Sequence, residues 1–388
     1  MTKKTTISLG SQFLESYCGR TIPDTSTLRK SQVKVCFEKT IDEIKQQIGK
    51  AYVWASVDET TDAAGRYVAT NLIVGKLDPY AYSSPHLVSV KILEQTNHST
   101  VARFVNDSLR ELEINQNKVL LLVTDAAAYM KKAAKALTVF YPLHVTCVCH
   151  GLHRVAEEIR SKFQAVDSLI SNTKKVFCKA PSRVALYKRI CPELALPPEP
   201  VLTRWTTWIR AAAFYSEHFT SIKMVVGQLE AKDAVCIQKS QDCFNDPIVV
   251  QQLAFLQSNY AIIPNAITKL ETQGMTMAEV FDILSSVKNA ISKTPGQIGE
   301  EVRRKFDNVF HKNPDLERLI DIAKVLDGEM TDIEMAPDMM AAMKFAPMTS
   351  CDVERSFSIY KTILTEKRMS LTPENLEMLL ICYCAKKD

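Results

Sequence analysis

No stretch of the 388-residue chain approaches the run of about 18 apolar residues that a membrane-spanning helix needs. Val119 to Val123 is typical of its most apolar segments. The N-terminus, MTKKTTISLGSQ, has lysines but no apolar stretch after them, so no signal peptide is expected. A disulfide framework is missing too. The 11 cysteines are scattered without regular spacing and, with no signal, read as reduced thiols of cytosol or nucleus. Neither sign of charge dominates. The 48 Lys and Arg against 44 Asp and Glu leave a net +4, which permits a polyanionic partner without demanding one. There is no internal repeat and no low-complexity tract. What remains is 46% hydrophobic and 24% charged, an ordinary globular composition with room for two or three domains.

Residues 1–30 are polar and basic and read as a linker or tail. From Ser31 a helix is expected, with Phe37, Ile41, Ile44 and Ile48 on one face. Three strands follow, Tyr52–Val57, Tyr67–Val74 and Pro85–Leu93, with a turn at Asp62–Gly65. Ser99–Leu112 has helical periodicity through Val101, Phe104, Val105, Leu109 and Leu112. "KVLLLVTD" (Lys118–Asp125) is continuous in its apolar residues, as befits a central strand covered on both faces. A helix over Ala126–Phe140, a strand at Leu143–Cys147 and a helix at His150–Arg160 come next. The order β-β-β-α-β-α-β is that of a ribonuclease-H-like fold. Residues from about 160 to 340 read as helix, with stripes Val249, Leu253, Leu256, Tyr260, Ile263 and Val280, Ile283, Leu284, Val287, Ile291. Pro192–Pro200 and a loop around Met335–Met348 interrupt them. A final helix pair is expected. The first helix carries a capping box at Thr349 and Asp352. The second opens with Thr372 and Pro373 and needs to bury Leu376, Leu379, Leu380 and Tyr383.

"SVDETTDAAG" sets three acids, Asp58, Glu59 and Asp62, at the end of a strand. They either cap a turn or hold a metal. Asp125 ends the fourth strand, which neighbours the first and runs parallel to it in the expected order. Two carboxylates would then emerge at one sheet edge, where a divalent cation relieves their repulsion. Mg²⁺ or Mn²⁺ in a two-metal centre supports phosphodiester cleavage. Glu354 is the candidate third carboxylate; the plainer reading is a Glu favoured in a first helical turn. "TCVCHGLHRV" offers Cys147, Cys149, His150 and His153, with both cysteines expected to leave a strand end on one side. Two more ligands at finger spacing are missing, so no structural zinc is expected. His150 reads as a packing or DNA-facing histidine. "VLTRWTTWIR" places Trp205 and Trp208 beside Arg204 and Arg210, either to stack and clamp bases or as one core Trp with solvated arginines. Arg355, next to Glu354, is a further candidate DNA contact. The clusters Lys131, Lys132, Lys135 and Lys174, Lys175, Lys179 either touch phosphates or are solvated faces.

The stretches "CGRTIPDTSTLRK", "SVDETTDAAGRYVA", "LLVTDAAAYMKKAAKAL", "CVCHGLHRVAEEIR", "KVFCKAPSR", "PPEPVLTRWTTW" and "APMTSCDVERSFSIYKTIL" run in order from Cys18 to near the C-terminus. With them the chain resembles hAT-superfamily (hobo/Activator) DNA transposases, in particular the subset similar to the CGG-repeat-binding protein. The resemblance implies an α/β protein. Its ribonuclease-H-like core, a mixed five-stranded sheet, would span 31–160, be interrupted by an all-α insertion at 161–344, and be completed at 345–388 with a helical dimerisation region. It implies a DDE triad of Asp58, Asp125 and Glu354, which are both catalytic residues and metal ligands. It places a CxxH element on Cys147 and His150, and Trp205 near the flanking nucleotide that becomes a DNA hairpin. Double-stranded DNA, a homodimer or larger homo-oligomer, and a nuclear location follow. Before Ser31 there is only Cys18 and no His, so the BED-type zinc finger usual in these transposases is expected to be absent. A domesticated, catalytically idle DNA-binding and dimerising protein is the alternative. A different ribonuclease-H-like nuclease is disfavoured by "VERSFS" and "TRWTTW".

Overall fold

The computed structural model describes residues 13, 15–21, 27, 31–61, 68–93, 95–200, 205–364 and 371–385, and of Val68 and Trp205 the backbone only. Most of the expected N-terminal tail, the turn at Asp62–Gly65 and Arg204 lie outside these residues. The elements in order are α1 (Val33–Ile48), β1 (Tyr52–Thr61), β2 (Val68–Leu77), β3 (His86–Ile92), α2 (His98–Glu111), β4 (Val119–Thr124), α3 (Ala128–Leu137) and β5 (Leu143–Thr146). Then come only helices: α4 (Val148–Lys162), α5 (Gln164–Phe177), α6 (Pro181–Ile190), α7 (Trp205–Glu217), α8 (Phe219–Gly227), α9 (Val235–Asn245) and α10 (Pro247–Tyr260). They continue as α11 (Ile262–Leu270), α12 (Met277–Ser292), α13 (Gly296–His311), α14 (Leu316–Leu326), α15 (Pro337–Ala342), α16 (Cys351–Ile363) and α17 (Pro373–Ala385). No described helix is long and apolar enough to cross a membrane.

The five strands form one mixed sheet in the order β3-β2-β1-β4-β5. β1 is antiparallel to β2 and parallel to β4, β2 is antiparallel to β3, and β4 is parallel to β5. All six residues of β4 are buried, as its unbroken apolar run requires. Trp54 pairs with Gly75 on β2, and its indole occupies the space a side chain there would take: a Cβ on Gly75 would lie 2.3 Å from the ring nitrogen.

β1 runs on past Val57 through Asp58 and Glu59 to Thr61, so Asp58 lies inside the strand and not at its end. The reason is β2, whose Asn71 and Thr70 pair with Asp58 and Glu59 and extend the ladder beyond what side-chain propensity favours. Successive residues then face opposite sides. Glu59 accepts a hydrogen bond of 2.5 Å from Tyr129 Oη on α3. Asp58 stands beside Asn71, whose Nδ2 donates to Ser356 Oγ on α16 at 2.7 Å. Thus α3 covers one face near this corner and α16 the other.

Both outer strands are met by side chains. On β5, His144 N–H donates to Asp315 Oδ2 (2.9 Å), Thr146 N–H donates to Asn313 Oδ1 (2.7 Å), and Asn313 Nδ2 donates to the Thr146 carbonyl (2.8 Å). On β3, Val90 N–H and Ser89 Oγ donate to Glu377 Oε1 at 2.9 and 3.0 Å, and Lys91 pairs with Glu377 Oε2 at 2.8 Å. The α13–α14 turn and α17 are thereby docked on opposite ends of the sheet.

Several expected elements shift. The helix expected at Ala126–Phe140 is Ala128–Leu137, because the Asp125 carboxylate takes the Ala127 N–H at 3.1 Å and turns the chain first. The strand at Leu143–Cys147 stops at Thr146; Cys147 is the N-cap of α4, so the two cysteines do not leave a strand end together. The Val249–Ile263 stripe is buried throughout but is divided between α10 and α11 at Ala261. The Met335–Met348 loop contains α15, begun by Pro337 at its first position. No capping box forms at Thr349 and Asp352: the N-cap is Ser350, and Asp352 accepts from Gln273 Nε2 at 2.6 Å and pairs with Arg355. Thr372 does cap α17, accepting from Asn375 N–H at 3.3 Å. Leu376 and Leu380 are buried, but Tyr383 is 50% exposed.

Candidate active site

Ser56 on β1 pairs with Val123 on the parallel strand β4, so Asp58, two residues further along β1, and Asp125, the first residue past β4, come out at the same corner of the sheet. Asp58 is 7% exposed, and its Oδ1 accepts the Glu59 N–H at 2.8 Å. Burial, then the neighbouring charge of Asp125, push its carboxyl up to about 7, with Glu354 adding to the rise and His150 opposing it. Asp125 is raised as well, chiefly by burial, against the Ala127 N–H and the His150 charge.

Glu354 comes from the first turn of α16 and Oε1 lies 3.3 Å from Nε2 of His150 on α4. His150 is pushed up to about 10, mainly by the negative charge of Cys147, with Glu354 and Asp58 contributing and burial opposing. Cys147 sits at the N-terminus of α4. Burial resists its ionisation, but the Cys149 thiol, the His150 ring and the Ser350 N–H (3.3 Å to Sγ) hold it well below the ordinary thiol value. Cys149 is pushed up by its bonds to Cys147 and Cys351. Asp58, Asp125, Glu354, His150 and Cys147 therefore form one electrostatic cluster where β1, β4, α4 and α16 meet.

Among the described residues no three His, Cys, Asp or Glu side chains are gathered closely enough to hold a metal ion as they stand; Glu354 is turned onto His150. In donor chemistry the set nevertheless suits a hard divalent cation. It offers carboxylate oxygens, and burial followed by the charge of Asp125 disfavours a bare Asp58 carboxylate, which a bound cation would relieve.

Other expected site residues lie elsewhere. Arg204 and the Trp205 side chain are outside the described residues; the Trp205 backbone begins α7. Trp208 is a core residue with no exposure, its ring 6.0 Å from the Arg160 guanidinium. Arg210 bonds to Thr268 and to the Pro264 carbonyl, so neither of these two is a free base clamp. Arg355 bonds to Asp352 and to the Glu271 carbonyl, tying α16 to the end of α11. The Glu59–Tyr129 contact was not anticipated, although strict alternation along β1 would have sent Glu59 to the face opposite Asp58. Cys351, beside Cys149, had no local signal.

Residues 23–176 match a family model described as a domain of unknown function, DUF659, and residues 334–383 match the hAT family C-terminal dimerisation region. No curated protein matches the chain. Asp58, Asp125 and His150 fall in the first match and Glu354 in the second, so the cluster joins the two matched segments. The C-terminal segment is thus similar to the dimerisation region of hAT-family proteins, and the larger N-terminal segment to a domain whose description assigns no function.

Proposed function

We propose that the chain is the core of an hAT-like DNA transposase, in which Asp58, Asp125 and Glu354 act as a DDE triad on a ribonuclease-H-like sheet. One observation carries this reading: carboxylates from inside β1, from just past the end of the parallel strand β4 and from a remote C-terminal helix gather at one corner, where the charges of Asp125 and Glu354 bear on Asp58. Mg²⁺ or Mn²⁺ held by these three residues would supply an activated nucleophile and stabilise the leaving oxygen. The protein's own part is to bring Asp58 and Asp125 to one corner through the parallel pairing of β1 with β4 and the turn at Asp125, and to present Glu354 from α16. His150 fixes Glu354 through Nε2, and Tyr129 anchors Glu59 on the other face. In the reaction proposed, water opens one strand and the freed 3′-hydroxyl displaces a bond of the opposite strand, exchanging one phosphodiester for another and leaving hairpinned flanking DNA. Trp205 is the residue we assign to the flanking base, and a nuclear location follows from the substrate. The absence of a BED finger among these residues would leave sequence reading to another segment or protein.

A second reading is favoured by the Glu354–His150 pair and by the lack of a metal-holding group among the described residues: a domesticated, catalytically idle protein that binds DNA and dimerises. Nicking and strand transfer on plasmid DNA with Mn²⁺ separates the two. The transposase reading expects activity in the wild type and none above background in Asp58→Ala, Asp125→Asn or Glu354→Gln. A folded, DNA-binding wild type without activity favours the idle protein, and activity that survives all three substitutions rejects the triad.

A further inference from the structure

A cleft of about 230 Å³ opens beside the candidate site, between the C-terminal ends of β4 and β5 and the helices α4 and α13. Its walls carry four cations: Lys131 from α3, Arg154 from α4, Lys305 from α13 and Lys312 just past its end. None of its described lining residues is acidic. Lys305 has a counter-charge in Glu158 at 3.5 Å, whereas Lys131, Arg154 and Lys312 form no ion pair with any described residue. Asn308 adds an exposed amide. The lining otherwise includes Ala126, one residue from Asp125, and Thr146, one residue from Cys147.

The cleft is built into the fold. Gly151 lets α13 close on α4, since a Cβ there would meet Phe310 Cζ at 3.2 Å and Val309 Cγ1 at 3.3 Å. The two Asn313–Thr146 bonds pin the turn that carries Lys312 to β5. The cations thus stand on fixed elements and converge from three directions. The cleft lies at the carboxyl ends of the parallel strands β4 and β5, the end of an α/β sheet at which ligands bind.

We propose that this cleft seats backbone phosphates of the DNA strand, with Lys131, Arg154, Lys305 and Lys312 as its phosphate-binding residues. The chemistry is that of a phosphodiester: several cations, an amide donor, no acidic wall and no apolar floor suited to a base or a small organic ligand. A phosphate held beside Ala126 lies next to Asp125, so the strand is gripped adjacent to the carboxylates and not on a remote surface. The assignment rests on the DNA-directed reading above for the identity of the polymer, but it does not require cleavage.

The test is binding of a labelled random-sequence DNA duplex to the full chain, measured by fluorescence anisotropy across a salt series in EDTA, so that catalysis plays no part. Arg154→Gln with Lys312→Gln is expected to weaken binding at least tenfold and to reduce the slope of log K against log salt by about 2, near one per lost phosphate contact. Arg154→Lys with Lys312→Arg keeps the charge and is expected to restore most of the affinity. Lys223→Gln with Lys239→Gln, on the exposed faces of α8 and α9, controls for net charge and is expected to leave the slope near wild type. An unchanged melting temperature shows that the variants fold. The proposal is overturned if the cleft and control variants lose the same amount. It is also overturned if the cleft binds inorganic phosphate in a residue-dependent way while DNA affinity is untouched. Intact residue-dependent binding without any nicking in Mn²⁺ rejects the transposase reading and leaves the cleft standing.

Discussion

A carboxyl that is 7% exposed, with a second and third carboxyl bearing on it, keeps its proton to about pH 7. In the unfolded chain Asp58 gives that proton up near 3.8. The folded state therefore binds more protons between those values, and stability falls as pH rises from about 4 to about 7. Removing the charge relieves this: Asp58→Asn, which keeps the acceptor for the Glu59 N–H, is expected to melt above wild type at pH 8 in EDTA. The gain is on the order of 4 kcal/mol at most and vanishes below about pH 4. Mn²⁺ is expected to raise the wild-type melting temperature at pH 8 and not that of Asp58→Asn. Calorimetry checks both, and an Asp58→Asn protein that melts at or below wild type at pH 8 sinks the argument. Asp58 and Asp125 were legible because each follows an apolar run whose strand order could be read. The hold of His150 on Glu354 was not, since nothing local to either residue signals a contact between α4 and α16.

Strands and helices were legible where one face or both are buried without competition. The α2 stripe of Val101, Phe104, Val105, Leu109 and Leu112 is buried as the spacing implies. Boundaries failed where a partner in space overruled the local signal: β2 lengthens β1, and the Asp125 turn shortens α3. The join between the helical region and the sheet had no sequence signal, because it depends on two polar side chains, Asn313 and Asp315, meeting β5. Asn313 is buried and makes two bonds to Thr146, so Asn313→Ala leaves a buried N–H and C=O unmatched. The expected loss is about 2–4 kcal/mol in urea unfolding. A loss under about 0.5 kcal/mol would show that water replaces the amide and that the turn is not what fixes the helical region to the sheet.

At the scale of the whole molecule, the segment that matches the hAT dimerisation region contains α15, α16 and most of α17. Tyr383, expected to be buried, instead lines an open groove between α16 and α17 with Arg355, Ser358, Ile359 and Thr362. An aromatic residue half exposed in such a region is a natural anchor for a second copy. Tyr383→Asp is expected to weaken self-association at least tenfold, about 1.4 kcal/mol, in sedimentation equilibrium, with the monomer's melting temperature unchanged. Equal dimer constants for the two proteins would place the contact elsewhere. The side chains that meet β3 and β5 bear on how such copies can join. A bare outer strand is a template on which a neighbour's strand can add, and then another, without a natural stop. Here Glu377 stoppers one end of the row and Asn313 with Asp315 the other. The sheet cannot be lengthened by a guest strand at those points, so copies that associate are steered to helix-to-helix contacts and away from open-ended fibres.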